Sequence, residues 1–154
     1  MYVKLIIGAI YADPQWLMES KSAMQRQSWE IEHQSQEFPF DQTDYYSTEM
    51  GEGLKRCFMC IKGLQPLEFS AEWKLKTLEI EKQFSNKGKR RINLDPGYLD
   101  LTRVVLLSRK EGSHKIYLRN GVWADLVLLK DRRGYRNFTW TFPDIRTGRY
   151  NDFF

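Results

Sequence analysis

Apolar positions fall into short runs of two different periods, and the runs alternate along the chain. Val3 to Tyr11 is a nearly unbroken run, rich in β-branched residues and too short for a good helix. It predicts a strand buried on both faces. Asp13-Pro14 follows, an N-cap residue and a proline suited to the first helical position. Trp16, Leu17, Ser20, Ala23, Met24 and Gln27 then share one side of a helix of about four turns. Trp29, Ile31 and His33 alternate with Glu30, Glu32 and Gln34, which is a strand period. The segments Phe38 to Tyr46 and Glu49 to Gly53 are polar and turn-rich, and Leu54 to Ile61 returns to a strand pattern.

Pro66 opens a second helix, on which Phe69, Trp73, Thr77, Ile80 and Phe84 form one stripe. Gly88 stands where its C-terminal cap is expected. Ile92 to Leu94 predicts a short strand stopped by a turn at Asp95-Pro96-Gly97, and Leu101 to Ser108 predicts another. The clearest local signal is Asn120-Gly121 between Lys115–Arg119 and Val122–Leu128, a two-residue hairpin. Arg132-Arg133-Gly134 then turns into a strand from Tyr135 to Phe138. The aromatic and polar tail from Trp140 to Phe154 is expected to lie across the surface.

Strand, helix, strand, strand, helix, strand and then a meander predict an α+β fold. Its core is a ferredoxin-like split β-α-β unit with an additional C-terminal antiparallel β-meander, helices on one face of the sheet. The 154 residues, without repeat or linker, suit a single domain over residues 1–154. A hydrophobic share of 42% with 14% aromatics excludes disorder and supports a packed core. The apolar start lacks the charged region and small-residue cleavage site of a signal peptide. No run approaches the ~20 apolar residues of a membrane span. With two cysteines there is no disulfide framework, so a cytoplasmic location without a membrane partner is the expectation.

A net charge of +4 is a mild excess that allows an anionic partner without demanding one. Lys87-Gly88-Lys89-Arg90-Arg91 and Lys130-Asp131-Arg132-Arg133 concentrate the basic residues. No G-x-x-x-x-G-K-[ST] loop is present, and no G-x-S-x-G elbow. Cys57-Phe58-Met59-Cys60 lacks the further ligands of a zinc site, and on a strand its thiols would face opposite ways. Asp41, Thr43, Asp44, Tyr45, Tyr46 and Glu49 crowd oxygen donors into one loop, which suits a hard cation, a ribose or a base. Asn93 and Asp95 would share a strand face, with Asp95 at the strand end and Tyr98 just beyond. His114 is a candidate general base or phosphate contact, and Lys55, Arg56, Arg90 and Arg91 could bring positive charge to the acidic groups.

Four blocks carry a family resemblance: Pro39 to Gly51, Arg91 to Leu99, Ser113 to Leu118 and Trp140 to Asp144. They make the chain resemble the bacterial domain-of-unknown-function family numbered 4416 over nearly its whole length. Lys115 stands where the family would have arginine; either supplies a cation. The resemblance implies a stand-alone protein and no established activity. Some relatives carry the label "GTP-binding protein", whereas this sequence lacks a phosphate loop. Asn86-Lys87-Gly88-Lys89 starts like a guanine-specificity motif and departs from it where aspartate is needed.

Three functions follow as expectations. The first is a small-molecule site for a polar or phosphorylated, nucleotide-like ligand in an acidic and aromatic pocket. Asp41, Asp44, Glu49 and Asp95 would supply its acid, with Asp44 and Asp95 as candidate ligands of a magnesium ion. Tyr45, Tyr46 and Tyr98 would stack or hydrogen-bond, Thr43 and Asn93 would add polar contacts, and Lys55, Arg91 and His114 would meet phosphate. The second is a homodimeric scaffold paired through an edge strand. The third is an RNA-binding module of the ferredoxin-like kind, although the K/R-G-F/Y signature of such sheets is missing.

Overall fold

Ten strands pair in one large antiparallel sheet, accompanied by few helices, in the computed structural model, which describes residues 1–154. In chain order the elements are β1 (Tyr2–Tyr11), α1 (Pro14–Arg26), β2 (Ile31–Gln34), β3 (Phe38–Pro39), α2 (Ser47–Met50), β4 (Lys55–Ile61) and β5 (Gln65–Pro66). A 3-10 turn at Leu67–Phe69 leads into α3 (Ser70–Gln83). Then come β6 (Ile92–Leu99), β7 (Arg103–Ser108), β8 (Lys115–Arg119), β9 (Val122–Asp131), β10 (Gly134–Asn137) and α4 (Pro143–Arg146). The main path across the sheet is β10-β9-β7-β6-β1-β4-β2, with β3 on β4, β5 on β1 and β8 on β9.

The central position of β1 follows from its composition. Alternate side chains of a strand face opposite layers. Val3, Leu5, Ile7, Ala9 and Tyr11 pack with Leu17, Met24, Trp73 and Ile80 of the two long helices. Ile6 faces the other way, into a cluster with Phe58, Val104, Leu106, Ile145 and Tyr150. Ile10 joins Phe40 and Leu54. Both faces are covered, so the continuous apolar run is required, and each buried Ile or Leu contributes about 1.5–3 kcal/mol.

Asp13 caps α1, accepting from the Gln15 N–H at 2.9 Å, with Pro14 in the first turn. The Asn120-Gly121 hairpin forms with both residues at positive φ, 54° and 69°. Two local expectations are corrected. Gly88 does not cap α3, which ends at Gln83. Lys87 and Gly88, at φ 50° and 77°, instead form a tight turn closed by reciprocal Asn86 and Lys89 backbone bonds of 2.9 and 3.0 Å. Asp95-Pro96-Gly97 is not a turn either; it continues β6, paired with Gly8, Ile7 and Ile6 of β1. Gly97 is there for closeness, since a Cβ would stand 2.2 Å from the Val105 carbonyl oxygen of β7.

β6 and β7 form a hairpin whose ladder holds for only three pairs, from Leu99↔Val104 to Gly97↔Leu106. Beyond it the strands part. The backbone of Leu94 has no strand partner on that side, so α3 supplies one. Glu81 Oε1 accepts from the Leu94 N–H at 2.6 Å, and Lys74 Nζ donates to the Leu94 carbonyl at 3.0 Å. Seven residues apart, Lys74 and Glu81 share one helix face. Pro96, in the same strand orientation as Leu94, has no N–H that needs satisfying there.

The tail is not a surface strap but a layer. Tyr150, Ile145, Asp144 and Thr141 are buried. The Tyr150 ring meets Phe58 edge-on at 4.9 Å and Phe38 at 5.3 Å. Thr141 Oγ1 and Trp140 Nε1 donate to the Val127 and Leu126 carbonyls at 2.7 and 2.9 Å. Cys57 lies on the helix side and Cys60 on the tail side, both free and buried. No helix is long and apolar enough to cross a membrane.

Candidate functional site

Where β6 and β7 part, a cavity of about 380 Å³ opens, lined by Lys74 and Leu78 of α3 as well as from the tail side of the sheet. Asn93 and Asp95 of β6 form one wall, and Leu106, Leu107 and Ser108 of β7 the other. Phe40, Tyr45 and Tyr46 close it from the loop before α2, and Phe142 and Pro143 from the tail. Six basic residues line it, Arg56, Lys74, Arg90, Arg109, Lys110 and Lys115, against two acidic ones, Asp95 and Asp125. The expected acidic pocket is therefore corrected: the lining is aromatic and predominantly basic.

Arg56 is the centre of the floor. It belongs to β4, pairs with Ile10 of β1, and is 1% exposed. Its guanidinium reaches over β1 because residue 8 is glycine; a Cβ there would stand 2.9 Å from the Phe58 ring and 3.4 Å from Arg56 Nη2. Nη1 donates to Asp144 Oδ2 and Oδ1 at 3.0 and 3.2 Å, while Nη2 stands 4.0 Å from Asp95 Oδ2. The Phe58, Phe142 and Phe40 rings surround the cation at 4.9, 5.5 and 5.7 Å. Burial opposes the charge, but Asp144 and Asp95 outweigh it and hold the guanidinium charged. Nε and Nη2 have no hydrogen-bond partner.

A chain of polar contacts runs out from this floor. Lys74 Nζ meets Asp95 Oδ1 at 3.3 Å, and Asn93 Nδ2 donates to Asp95 Oδ2 at 2.7 Å. Arg90 Nη1 donates to Asn93 Oδ1 at 2.7 Å, and its Nε and Nη2 fork onto Glu49 at 2.8 Å each. That pairing holds the Glu49 carboxyl below its usual range. Glu81 is pushed the other way, upward, by burial. Across the cavity Asp125 of β9 is 3% exposed and its carboxyl is raised by burial, against the pull of Lys115 and His114. Lys115 Nζ stands 3.8 Å from Asp125 Oδ2. His114 Nε2 stands 3.4 Å from Oδ1 without hydrogen-bond alignment, leaving that oxygen unpartnered.

The mouth is built from the turn after β7. Ser108 Oγ accepts from the Lys110 N–H at 3.0 Å and from Lys115 Nζ at 3.2 Å. Lys110 Nζ lies 3.9 Å from the centre of the Tyr45 ring, and no carboxylate pairs with it. Burial and the neighbouring Lys115 lower its pKa.

Of the residues singled out in the sequence, Thr43, Tyr45, Tyr46, Arg56, Arg90, Asn93 and Asp95 line this cavity. Glu49 supports it through Arg90, and His114 flanks it, stacked on Trp140 at 5.1 Å. The others lie elsewhere. Asp41 and Asp44 are exposed. Lys55 pairs with Glu37 at 3.7 Å, and Arg91 covers the Trp16 ring at 4.5 Å. Tyr98 is half-buried against the helix-side core. Asp44 and Asp95 are not joined in any group of three or more His, Cys, Asp or Glu able to hold a metal. Asp95 is already occupied by Lys74 and Asn93 with Arg56 close by, so this donor set does not fit magnesium. Lys74, Glu81, Asp125 and Asp144 escaped the reading of the sequence. Their signal is a charged residue at a position whose neighbours in the pattern are apolar: Asp125 inside a strand, and Lys74 and Glu81 beside the Trp73–Thr77–Ile80 stripe.

Fold and cavity together define a mixed α/β protein with a large antiparallel sheet, few helices and one basic, aromatic cavity. The chain belongs to the family described as Domain of unknown function (DUF4416), which matches residues 1–154. No curated protein and no solved structure matches it.

Proposed function

We propose that this protein binds a small phosphorylated molecule, of nucleotide or sugar-phosphate kind, in the cavity between β6 and β7. The observation that carries the proposal is Arg56. Its guanidinium is buried at the cavity floor, fixed by Asp144, and keeps two donor atoms unpartnered. Unsatisfied buried donors cost about 1–3 kcal/mol each, a cost that a ligand acceptor removes. The basic lining and the Phe40, Tyr45 and Tyr46 rings support an anion that carries a ring or a sugar. The fold reading that accompanies it is a ferredoxin-like split β-α-β core extended by a meander. The order β6-β1-β4-β2, with α1 and α3 as the crossovers and β7, β9 and β10 beyond β6, supports it.

The test is a thermal-shift screen of the purified chain against nucleotides and sugar phosphates. A ligand at a hundred times its Kd stabilises the fold by roughly 2.7 kcal/mol. Arg109→Ala and Lys110→Ala, both at exposed residues, should shrink the shift. The proposal fails if no phosphorylated compound raises the Tm, or if both variants respond like the parent.

A further inference from the structure

Given the proposed phosphate-binding function, the cavity has two chemically different ends, and we infer that it takes a nucleoside 5′-monophosphate head first. The base would lie against Arg56 at the floor, with Asp125 on the wall between the two ends, and the phosphate at the mouth, beside Ser108 and Lys110.

The distribution of unpaired charge sets the direction. Inside, every cation has its carboxylate: Arg56 has Asp144 at 3.0 Å, Lys74 has Asp95 at 3.3 Å, and Arg90 has Glu49 at 2.8 Å. A phosphate pushed to the floor would face Asp95 and Asp144. At the mouth the balance differs. Lys110 has no carboxylate partner, and Arg109 donates to the Asn120 carbonyl rather than to an acid. A phosphoryl group there meets two cations whose charge nothing else neutralises, and Ser108 Oγ stands beside them.

The floor and its wall ask for an acceptor and a donor together, and an ionised phosphate offers acceptors only. Arg56 Nε and Nη2 need acceptors, and Asp125 Oδ1 needs a donor. Both residues are buried and both line the cavity. Asp125 lies on β9, two strands from the Asp95 that approaches Arg56, across the gap where β6 and β7 part. A heterocyclic base carries both carbonyl or ring-nitrogen acceptors and N–H donors on its edges. Phe40, Tyr46 and Phe142 provide flanking rings. The volume of about 380 Å³ lies at the small end of the roughly 300–1,000 Å³ of ligand sites.

The experiment is isothermal titration of the full chain at one ionic strength with AMP, GMP, CMP and UMP, their nucleosides, their triphosphates, ribose 5-phosphate and inorganic phosphate. At least one monophosphate should bind, with its nucleoside about 10- to 100-fold weaker. The triphosphate should gain no more than about fivefold. Lys110→Ala should weaken the monophosphate and leave the nucleoside unchanged. Asp125→Asn should weaken both by the same factor and alter the ranking of the bases. Should Asp125→Asn fail to fold, the Lys110→Ala comparison decides alone. Equal losses of nucleoside and nucleotide in Lys110→Ala overturn the inference, as does a triphosphate bound far more tightly than the monophosphate. Binding of ribose 5-phosphate or inorganic phosphate, but of no nucleotide more tightly, overturns the inference and leaves the proposed function standing. If none of the phosphorylated probes binds, both fall.

Discussion

The two faces of β1, β4 and β6 are made from alternate residues of the same strands, yet they bury opposite chemistry. Toward α1 and α3 the strands present Leu5, Ile7, Cys57, Met59, Ile92 and Leu94, an apolar layer that packs without direction. Toward the tail they present Arg56, Asn93 and Asp95 beside Ile10 and Phe58. Apolar burial is tolerant of geometry, whereas a buried charge is stable only with its partner at hydrogen-bond distance. Replacing a buried ion pair by well-packed apolar residues is often neutral or stabilising. The tail face therefore gives up stability for a preset arrangement of donors and acceptors, and the helix face makes up the difference.

Several substitutions probe that contrast. The largest effect belongs to Arg56→Ala, which strands Asp144 without its cation and should cost about 3–5 kcal/mol in urea denaturation. The double variant Arg56→Met with Asp144→Leu should recover most of that loss while abolishing any ligand-induced thermal shift. A double variant that still responds to ligand would put the site elsewhere. Lys74→Met comes next, at about 1–3 kcal/mol, because the Leu94 carbonyl loses its only cross-cleft donor. Hydrogen exchange should show faster opening around β6, and unchanged exchange would count against the role given to Lys74. On the apolar face Ile7→Val should cost about 0.5–1.5 kcal/mol and leave ligand affinity untouched. A change in affinity would show that the two faces are coupled.

The smallest effect is one of pH. Arg90 holds Glu49 below its ordinary value of 4.5, so the folded form releases this proton more readily than the unfolded chain. The contribution is complete above that value and is lost as pH falls through the lowered folded pKa. Comparing wild type with Glu49→Gln in acid denaturation isolates it. The wild type should lose more stability below about pH 4.5 than the variant, and parallel curves would remove Glu49 from the network.

Much of the fold was legible in the sequence because it is local. The β1 run, the Asp13-Pro14 start of α1 and the Asn120-Gly121 hairpin each announce themselves within a few residues. The site was legible in part. Thr43, Tyr45, Tyr46, Asn93 and Asp95 were found as polar and aromatic residues in their own segments, and all line the cavity. Lys74, Glu81, Asp125 and Asp144 were not, because a charge that will be buried looks like any surface charge until its partner is known. Glu81 and Leu94 are 13 positions apart, and Arg56 and Asp144 are 88. Asp95-Pro96-Gly97 misled for a related reason. Its proline and glycine serve the parting of two strands and the close approach of a carbonyl, needs that only the third dimension reveals.

The short ladder between β6 and β7 makes the sheet two plates meeting at a hinge. One plate is the N-terminal half, and the other is the meander. Residues 138–154 leave from the second plate and fasten on the first, with Tyr150 between Phe38 and Phe58 and Phe153 stacked 5.8 Å from His33. They act as a clasp across the hinge, and the clasp carries Asp144, the counter-charge of Arg56. Opening the hinge and exposing a bare charge in the interior are thus a single event. A separation of the plates is therefore opposed at the protein's own centre, by the Arg56–Asp144 pair.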